Sequence, residues 1–271
     1  HQPSLLTGPL YYIYKIVSTI NLAKKLKEGY PDFHFVPVFV SGGEDHDFEE
    51  VNHVHLFGKT LVWENDEKGS VGMMSTQSLA KVLDELKEIL GKGEQSNEIF
   101  EKITTAYTGK EPYSQATLAL VDSLFREEGL VVFNMNHPEL KKAFIPVMEE
   151  ELFKQSSREI VEATQQELEA AGFSGQAHVR EINLFYLRQQ LRERIVQEGE
   201  LYRVNQTDYV FSADELREEL HKHPEHFSPN VVMRPLFQEK ILPNLAYIGG
   251  GGEIAYWLER KKQFEYFGIN F

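Results

Sequence analysis

Phe35-Val36-Pro37-Val38-Phe39-Val40, followed at once by Ser41-Gly42-Gly43-Glu44-Asp45-His46-Asp47, is the stretch on which the fold turns. A short, continuous apolar run of this kind suits a strand covered on both faces, as in a parallel sheet. The glycines end it, and ionisable residues come next. The same pattern recurs. Gly129-Leu130-Val131-Val132-Phe133 gives way to Asn134-Met135-Asn136, and Leu245-Ala246-Tyr247-Ile248 gives way to Gly249-Gly250-Gly251-Gly252-Glu253. Three buried strands are therefore expected, at 35–40, 129–133 and 245–248.

Between them the apolar period is helical. Helices are predicted over 10–28, 79–90, 98–107, 115–126, 233–241 and 254–267, with a long charged helical stretch over 137–170 broken near Pro146. Residues 53–62 alternate and predict one or two strands. From 172 to 210 the period moves towards two, with short strands around 184–186 and 201–204. A short helix over 213–221 follows, capped by Ser212 or Asp214. Apolar strands separated by helices predict an α/β fold, a parallel sheet flanked by helices. The middle reads as a small antiparallel insertion. The expected division is 1–171 as the first part of the core, 172–212 as the insertion and 213–271 as the second part of the core.

Composition narrows the function. The chain has 271 residues, 28 Lys+Arg against 42 Asp+Glu, and a net charge of −14. Such an acidic balance argues against a nucleic-acid footprint or a polybasic membrane anchor. Neither nucleic acid nor membrane is an expected partner. There is no cysteine, which removes disulfides, thiolate metal sites and cysteine nucleophiles and fits a cytoplasmic location. The chain opens on His1 and closes on Phe271, and reads as a piece of a longer protein.

Ligands of open parallel sheets sit beyond the C-terminal ends of the strands, and polar residues gather at three such places. At 41–47, His46 lies among Glu44, Asp45 and Asp47. It is the candidate general base, oriented by Asp45 or Asp47, with Glu44 next in line. The bland alternative is a solvated turn before a helix. A metal version would use His46, Asp47, His53 and His55, but their spacing matches no defined metal motif, so no protein-bound metal is expected. At 249–253, Gly249, Gly250 and Gly252 would let an anion approach the helix start. Glu253 either joins a ligand site or compensates the helix dipole. At the opening, His1, Gln2, Thr7 and Gly8 form a loop before a helix, from which Lys15 could reach back. Arg234, in an apolar stretch, is expected to be paired, either structurally or with a ligand carboxylate or phosphate.

Taken together, these segments resemble the cysteine-adding enzymes of bacillithiol biosynthesis, a family of cysteine ligases. The residues that carry the likeness are His1-Gln2 with Leu6-Thr7-Gly8-Pro9-Leu10-Tyr11, and Gly43-Glu44-Asp45-His46-Asp47 with Glu50-Val51-Asn52. Further along they are Asn183-Leu184-Phe185-Tyr186, and 227–239 with Arg234-Pro235-Leu236, ending in Gly252-Glu253-Ile254 and Tyr256-Trp257. The matches run through the whole chain in order.

The resemblance implies a Rossmann-like core related to class I aminoacyl-tRNA synthetases. It implies a C-terminal coiled coil, absent here, that pairs two subunits. It implies addition of L-cysteine to the amine of glucosaminyl-malate. The carboxylate would be activated by a nucleotide, ATP with Mg2+, by analogy with synthetases. His1, Gln2, Thr7, Gly8, Asn52, Arg234, Gly252 and Glu253 are carried over as binding residues, and Glu44, Asp45, His46 and Asp47 as the catalytic group. The family's first strand and everything after Phe271 are missing, and Gly251 stands where the family usually has proline. The alternatives from other classes are a metal-dependent hydrolase of a sugar or amide and a non-catalytic sugar- or nucleotide-binding module.

Overall fold

In the computed structural model, which describes residues 1–271, Val38–Ser41 (β1) and Val131–Asn134 (β4) pair in parallel, with Ser41 beside Asn134 at the C-terminal end. The first strand starts at Val38, not Phe35. Pro37 has no N–H to give to a ladder, and Val36 is exposed. The chain divides into two units, His1–Met135 and Asn136–Phe271, each described by itself.

In the first unit, Tyr11–Gly29 (α1) turns Tyr12, Ile16 and Ile20 to one side, where they share a core with Phe39, Leu118, Val121 and Leu130. The i, i+4, i+8 spacing supplies that stripe. The single turn Phe48–Val51 (α2) leads into a hairpin, His53–Leu56 (β2) and Lys59–Val62 (β3), closed by Phe57 and Gly58. Both turn residues have positive φ, 49° and 78°, as a type I′ hairpin demands. Ala80–Leu90 (α3), Glu94–Tyr107 (α4) and Tyr113–Phe125 (α5) enclose a second core with Trp63 and Tyr113 at its centre, their rings 4.5 Å apart.

The second unit opens with Pro138–Lys142 (α6), Ile145–Lys154 (α7) and Ser156–Ala170 (α8). The long helical stretch does break, and the break next to α8 is at Gln155 (φ 55°). Pro146 sits in the first turn of α7, where its missing N–H costs nothing. Leu184–Arg188 (β5), Leu191–Glu198 (β6), Leu201–Val204 (β7), Val210–Ser212 (β8) and Phe227–Pro229 (β9) form an antiparallel sheet in the order β8-β7-β6-β5-β9. Its last strand comes from beyond 212, on the far side of Ala213–Lys222 (α9). Ser212 caps α9 and Glu215 returns the bond to the Ser212 N–H. Arg234–Ile241 (α10), Gly251–Leu258 (α11) and Lys261–Tyr266 (α12) complete the unit.

The expected third strand is absent. Residues 245–248 are irregular, and Leu245 is 82 % exposed. Upstream, the Asn244 backbone and side-chain amides both donate to the Glu239 carboxylate, at 3.1 and 2.6 Å. Tyr247 turns inward to stack on Trp257, ring centroids 4.1 Å apart. Tyr247 meets a helix instead of joining a ladder while Leu245 stays exposed, and the parallel sheet has two strands.

Candidate active site

Beyond the end of β1 the backbone doubles into a tight loop. Gly43 and Gly72 meet backbone to backbone. A Cβ on Gly72 would lie 2.4 Å from the Gly43 oxygen, and one on Gly43 would lie 2.9 Å from Ser114 Cβ. The Gly72 N–H donates to Gly43 O (2.9 Å), and the Val71 N–H donates to Asp45 O (2.7 Å). Only glycine permits this approach, and it holds the loop from which His46 and Asp47 reach outward. Glu44 is buried, and His46 and Asp47 are exposed.

His46 stands between the two aspartates, Nδ1 3.8 Å from Asp45 Oδ1 and Nε2 3.9 Å from Asp47 Oδ1. These are ion-pair separations, longer than a hydrogen bond. Asp45 is held more firmly. Its Oδ1 accepts from the His46 N–H (3.0 Å) and its Oδ2 from Gln2 Nε2 (3.2 Å). The same Gln2 amide donates to Glu50 Oε2 (3.1 Å). One amide thus bridges two carboxylates, and Glu50 joins the cluster. Sequence reasoning left Glu50 out of the site, although it belongs to the quoted family pattern three positions after Asp47.

His1 runs alongside the strand end. Its nitrogen donates to Val40 O (2.7 Å), its carbonyl accepts from the Gly42 N–H (2.8 Å), and its ring lies 4.4 Å from that of Tyr12. Leu6, Thr7 and Gly8 follow, all three at positive φ, 50°, 68° and 57°. A Cβ on Gly8 would fall 2.6 Å from that of Ser4. Thr7 Oγ1 donates to the adjacent Leu6 carbonyl. Lys15 sits over the Tyr11 ring at 4.6 Å.

Asn52 is buried, with a structural task in view. Its carbonyl accepts from the Trp63 N–H (2.7 Å), and its Oδ1 lies 3.1 Å from His53 Nδ1. His55 bonds Thr60 Oγ1 (2.8 Å) across the hairpin. The four-residue metal set of His46, Asp47, His53 and His55 does not assemble. The group within chelating reach in this region is Asp45, His46 and Asp47.

In the second unit the glycine run divides by task. A Cβ on Gly249 would strike the Tyr247 ring at 2.7 Å, so Gly249 serves packing. Gly250 is the N-cap of α11, and its N–H donates to Glu253 Oε2 (2.6 Å). Glu253 therefore caps its own helix, which is the bland reading of that residue. Its Oε1 also accepts from the Tyr247 hydroxyl (3.4 Å). Gly251 and Gly252 have open space where a side chain would stand, and neither has positive φ. Any intolerance of Gly252 to a side chain therefore cannot come from backbone strain. Arg234 opens α10, its N–H bonded to Asn230 O (2.8 Å). Burial and then Glu253 push the Tyr256 phenol up, and the Arg234 charge opposes this. Burial raises Tyr247 likewise, reinforced by Tyr256 and Glu253. Both phenols stay protonated at physiological pH and can donate.

A parallel strand pair with a charged loop beyond its C-terminal end, in a mixed α/β frame, is the feature this chain shares with Rossmann-like domains. The family description "Bacillithiol biosynthesis BshC, N-terminal Rossmann-like domain" matches residues 1–271. The chain belongs to that family. It is 48 % identical over 271 residues to a Flavobacterium johnsoniae protein named "Putative cysteine ligase BshC", covering 100 % of this chain and 51 % of that one. Proteins of the same name from Flavobacterium psychrophilum and Chloroherpeton thalassium are 46 % and 35 % identical, over 100 % and 99 % of the chain and 51 % and 50 % of theirs. The chain thus spans about half the length of the curated relatives it matches. No helix is long and apolar enough to cross a membrane.

Proposed function

We propose that the protein carrying this domain is an ATP-dependent ligase that joins the carboxylate of L-cysteine to the amine of glucosaminyl-malate, completing bacillithiol. Family membership over all 271 residues supports the reading. The observation that carries its chemistry is His46, set between Asp45 and Asp47 beyond a parallel strand.

Amide formation from a free carboxylate is uphill in water, so the carboxylate is first activated by ATP as an adenylate or acyl phosphate. The amine then attacks the acyl carbon, and AMP (from the adenylate) or inorganic phosphate (from the acyl phosphate) leaves with the bonding pair. The amine's proton must go to a base, and His46 takes it. The two flanking carboxylates stabilise the imidazolium that results. Gln2, by holding Asp45 and Glu50 together, fixes that carboxylate wall. Asp45 and Asp47 also offer the hard oxygens that the Mg2+ of MgATP prefers. Arg234 and the open backbone at Gly251 and Gly252 suit a malate carboxylate or a phosphate.

The test is product mass. The full-length protein, given cysteine, glucosaminyl-malate and ATP, should yield the amide with stoichiometric nucleotide cleavage. Nucleotide or sugar binding without any product would leave the domain a non-catalytic binding module.

A further inference from the structure

A second histidine cluster lies far along the sequence from the 41–47 loop. After α9 the chain makes a single 3-10 turn, Pro224–His226, before β9. Residues i and i+3 eclipse in such a turn. His223 and His226 accordingly stack, ring centroids 4.7 Å apart at 24°. Glu225 lies between them. His223 Nδ1 is 3.2 Å from Glu225 Oε1, and His226 Nε2 is 4.0 Å from the same oxygen. One ligand atom from each of the three residues falls within 4.8 Å of the others.

The proton arrangement on His226 adds a second, independent indication. Arg188 Nη1 lies 2.8 Å from His226 Nε2. A guanidinium has only donors, so Nε2 is the unprotonated nitrogen. Nδ1 carries the proton and donates to Glu219 Oε1 at 2.7 Å. Glu219 is itself fixed by the Tyr186 hydroxyl (2.6 Å). A carboxylate holding the far nitrogen of an imidazole, and so aiming the near one, is the usual support of a metal-ligating histidine.

We propose that His223, Glu225 and His226 bind a divalent transition-metal ion, best matched by Zn2+, at the corner between α9 and β9. Two imidazoles and one carboxylate are the borderline donors that zinc takes, and three protein ligands leave one position for water. The guanidinium of Arg188 stands where the metal would meet Nε2, so binding displaces it. Arg188 has somewhere to go, with Glu219 Oε1 at 3.4 Å and the Tyr186 and Tyr209 rings at 5.5 and 6.0 Å. The ion would tie the end of α9 to the start of the edge strand.

The experiment is calorimetric titration of the chelator-stripped full-length protein with zinc chloride, with circular dichroism to confirm folding of each variant. About one equivalent should bind. Glu225→Gln and His223→Ala should each weaken binding by at least ~10-fold, and Glu219→Gln by about 10–100-fold. Arg188→Met, which removes the competing donor, should tighten it, and His55→Ala should leave it unchanged. Zinc should also raise the thermal midpoint of the parent and not that of His223→Ala. Absence of saturable binding would overturn the proposal. So would binding indifferent to His223 and Glu225, or binding weakened by Arg188→Met. Should Glu219→Gln fail to fold, the exposed His223 and the half-buried Glu225 still decide the matter.

Discussion

At the residue scale the two loops ask different things of their side chains. His46 is exposed and flanked by carboxylates, so its loss removes a proton acceptor while the Gly43–Gly72 contact keeps the loop in place. His46→Ala in the full-length protein should lower kcat by about 10²–10⁴-fold with a much smaller change in substrate affinity. Product mass and calorimetry read the two effects separately. Loss of affinity alone would make His46 a binding residue and leave Glu44 as the next candidate base. Gly72→Ala should instead act on folding, because its new methyl meets backbone atoms that cannot rotate away. A loss of about 1–3 kcal/mol is expected, read as a lower urea midpoint. Gly252→Val meets nothing in this structure. It should keep the thermal midpoint close to that of the parent while weakening substrate binding, if a ligand uses that space.

Two neighbouring glutamates on α7 show how position on a helix sets the sign of a pH effect. Glu150 accepts from Lys154 (2.7 Å), Tyr266 (2.6 Å) and Ser156 (3.0 Å), and the Lys154 bond first, then Tyr266, holds its carboxyl below the ordinary value. Its stabilising contribution is present above the unfolded-state value and is lost as pH falls towards the folded one. Glu151, one position on, is buried and accepts from both amides of Asn183 at 2.9 and 2.7 Å. Burial raises its carboxyl above the ordinary value despite those bonds. The folded chain then keeps that proton longer, and stability falls as pH rises through the window above the unfolded value. Thermal midpoints between pH 3 and 7 should therefore change in opposite ways. Glu150→Gln should flatten the acid loss of stability, and Glu151→Gln should remove the decline above about pH 4.5.

The β2–β3 hairpin offers a further element-scale check. Phe57 takes φ 49° in its turn while 84 % exposed, so it contributes strain and little burial. Phe57→Asn should raise stability by about 0.5–1 kcal/mol, visible as a higher thermal midpoint.

At the scale of the whole molecule, a net charge of −14 implies self-repulsion that salt relieves. The thermal midpoint should rise as sodium chloride increases from about 10 to 200 mM, over which the screening length shortens from about 30 to under 10 Å. A midpoint that stays flat or falls would mean that local ion pairs such as Arg158 with Glu162 and Glu181 outweigh the overall excess.

What the sequence determined by itself is local in origin. Apolar runs and helical stripes placed β1, β4 and α1 to within a few residues, and Ser212, one of two candidate caps, marked the start of α9. The glycine–carboxylate–histidine string after β1 marked the candidate catalytic loop. Each of these follows from backbone sterics or side-chain period, which neighbours in the chain set. Tertiary structure alone decided the rest. Residues 245–248 read as a buried strand, yet Tyr247 found Trp257 instead of a ladder, because a short apolar run is satisfied by whichever surface reaches it. Phe227–Pro229 completed the antiparallel sheet across an intervening helix, a pairing with no local signal. Gln2 bridges Asp45 and Glu50 across more than forty residues of chain, and Gly72 proved necessary only because Gly43 stands against it. Glu253 showed two possible roles in sequence, and the geometry at Gly250 shows that it caps its helix. Periodicity reports which side of an element is apolar, whereas the partner that covers that side, and the distance between two charged groups, exist only once the chain has closed on itself.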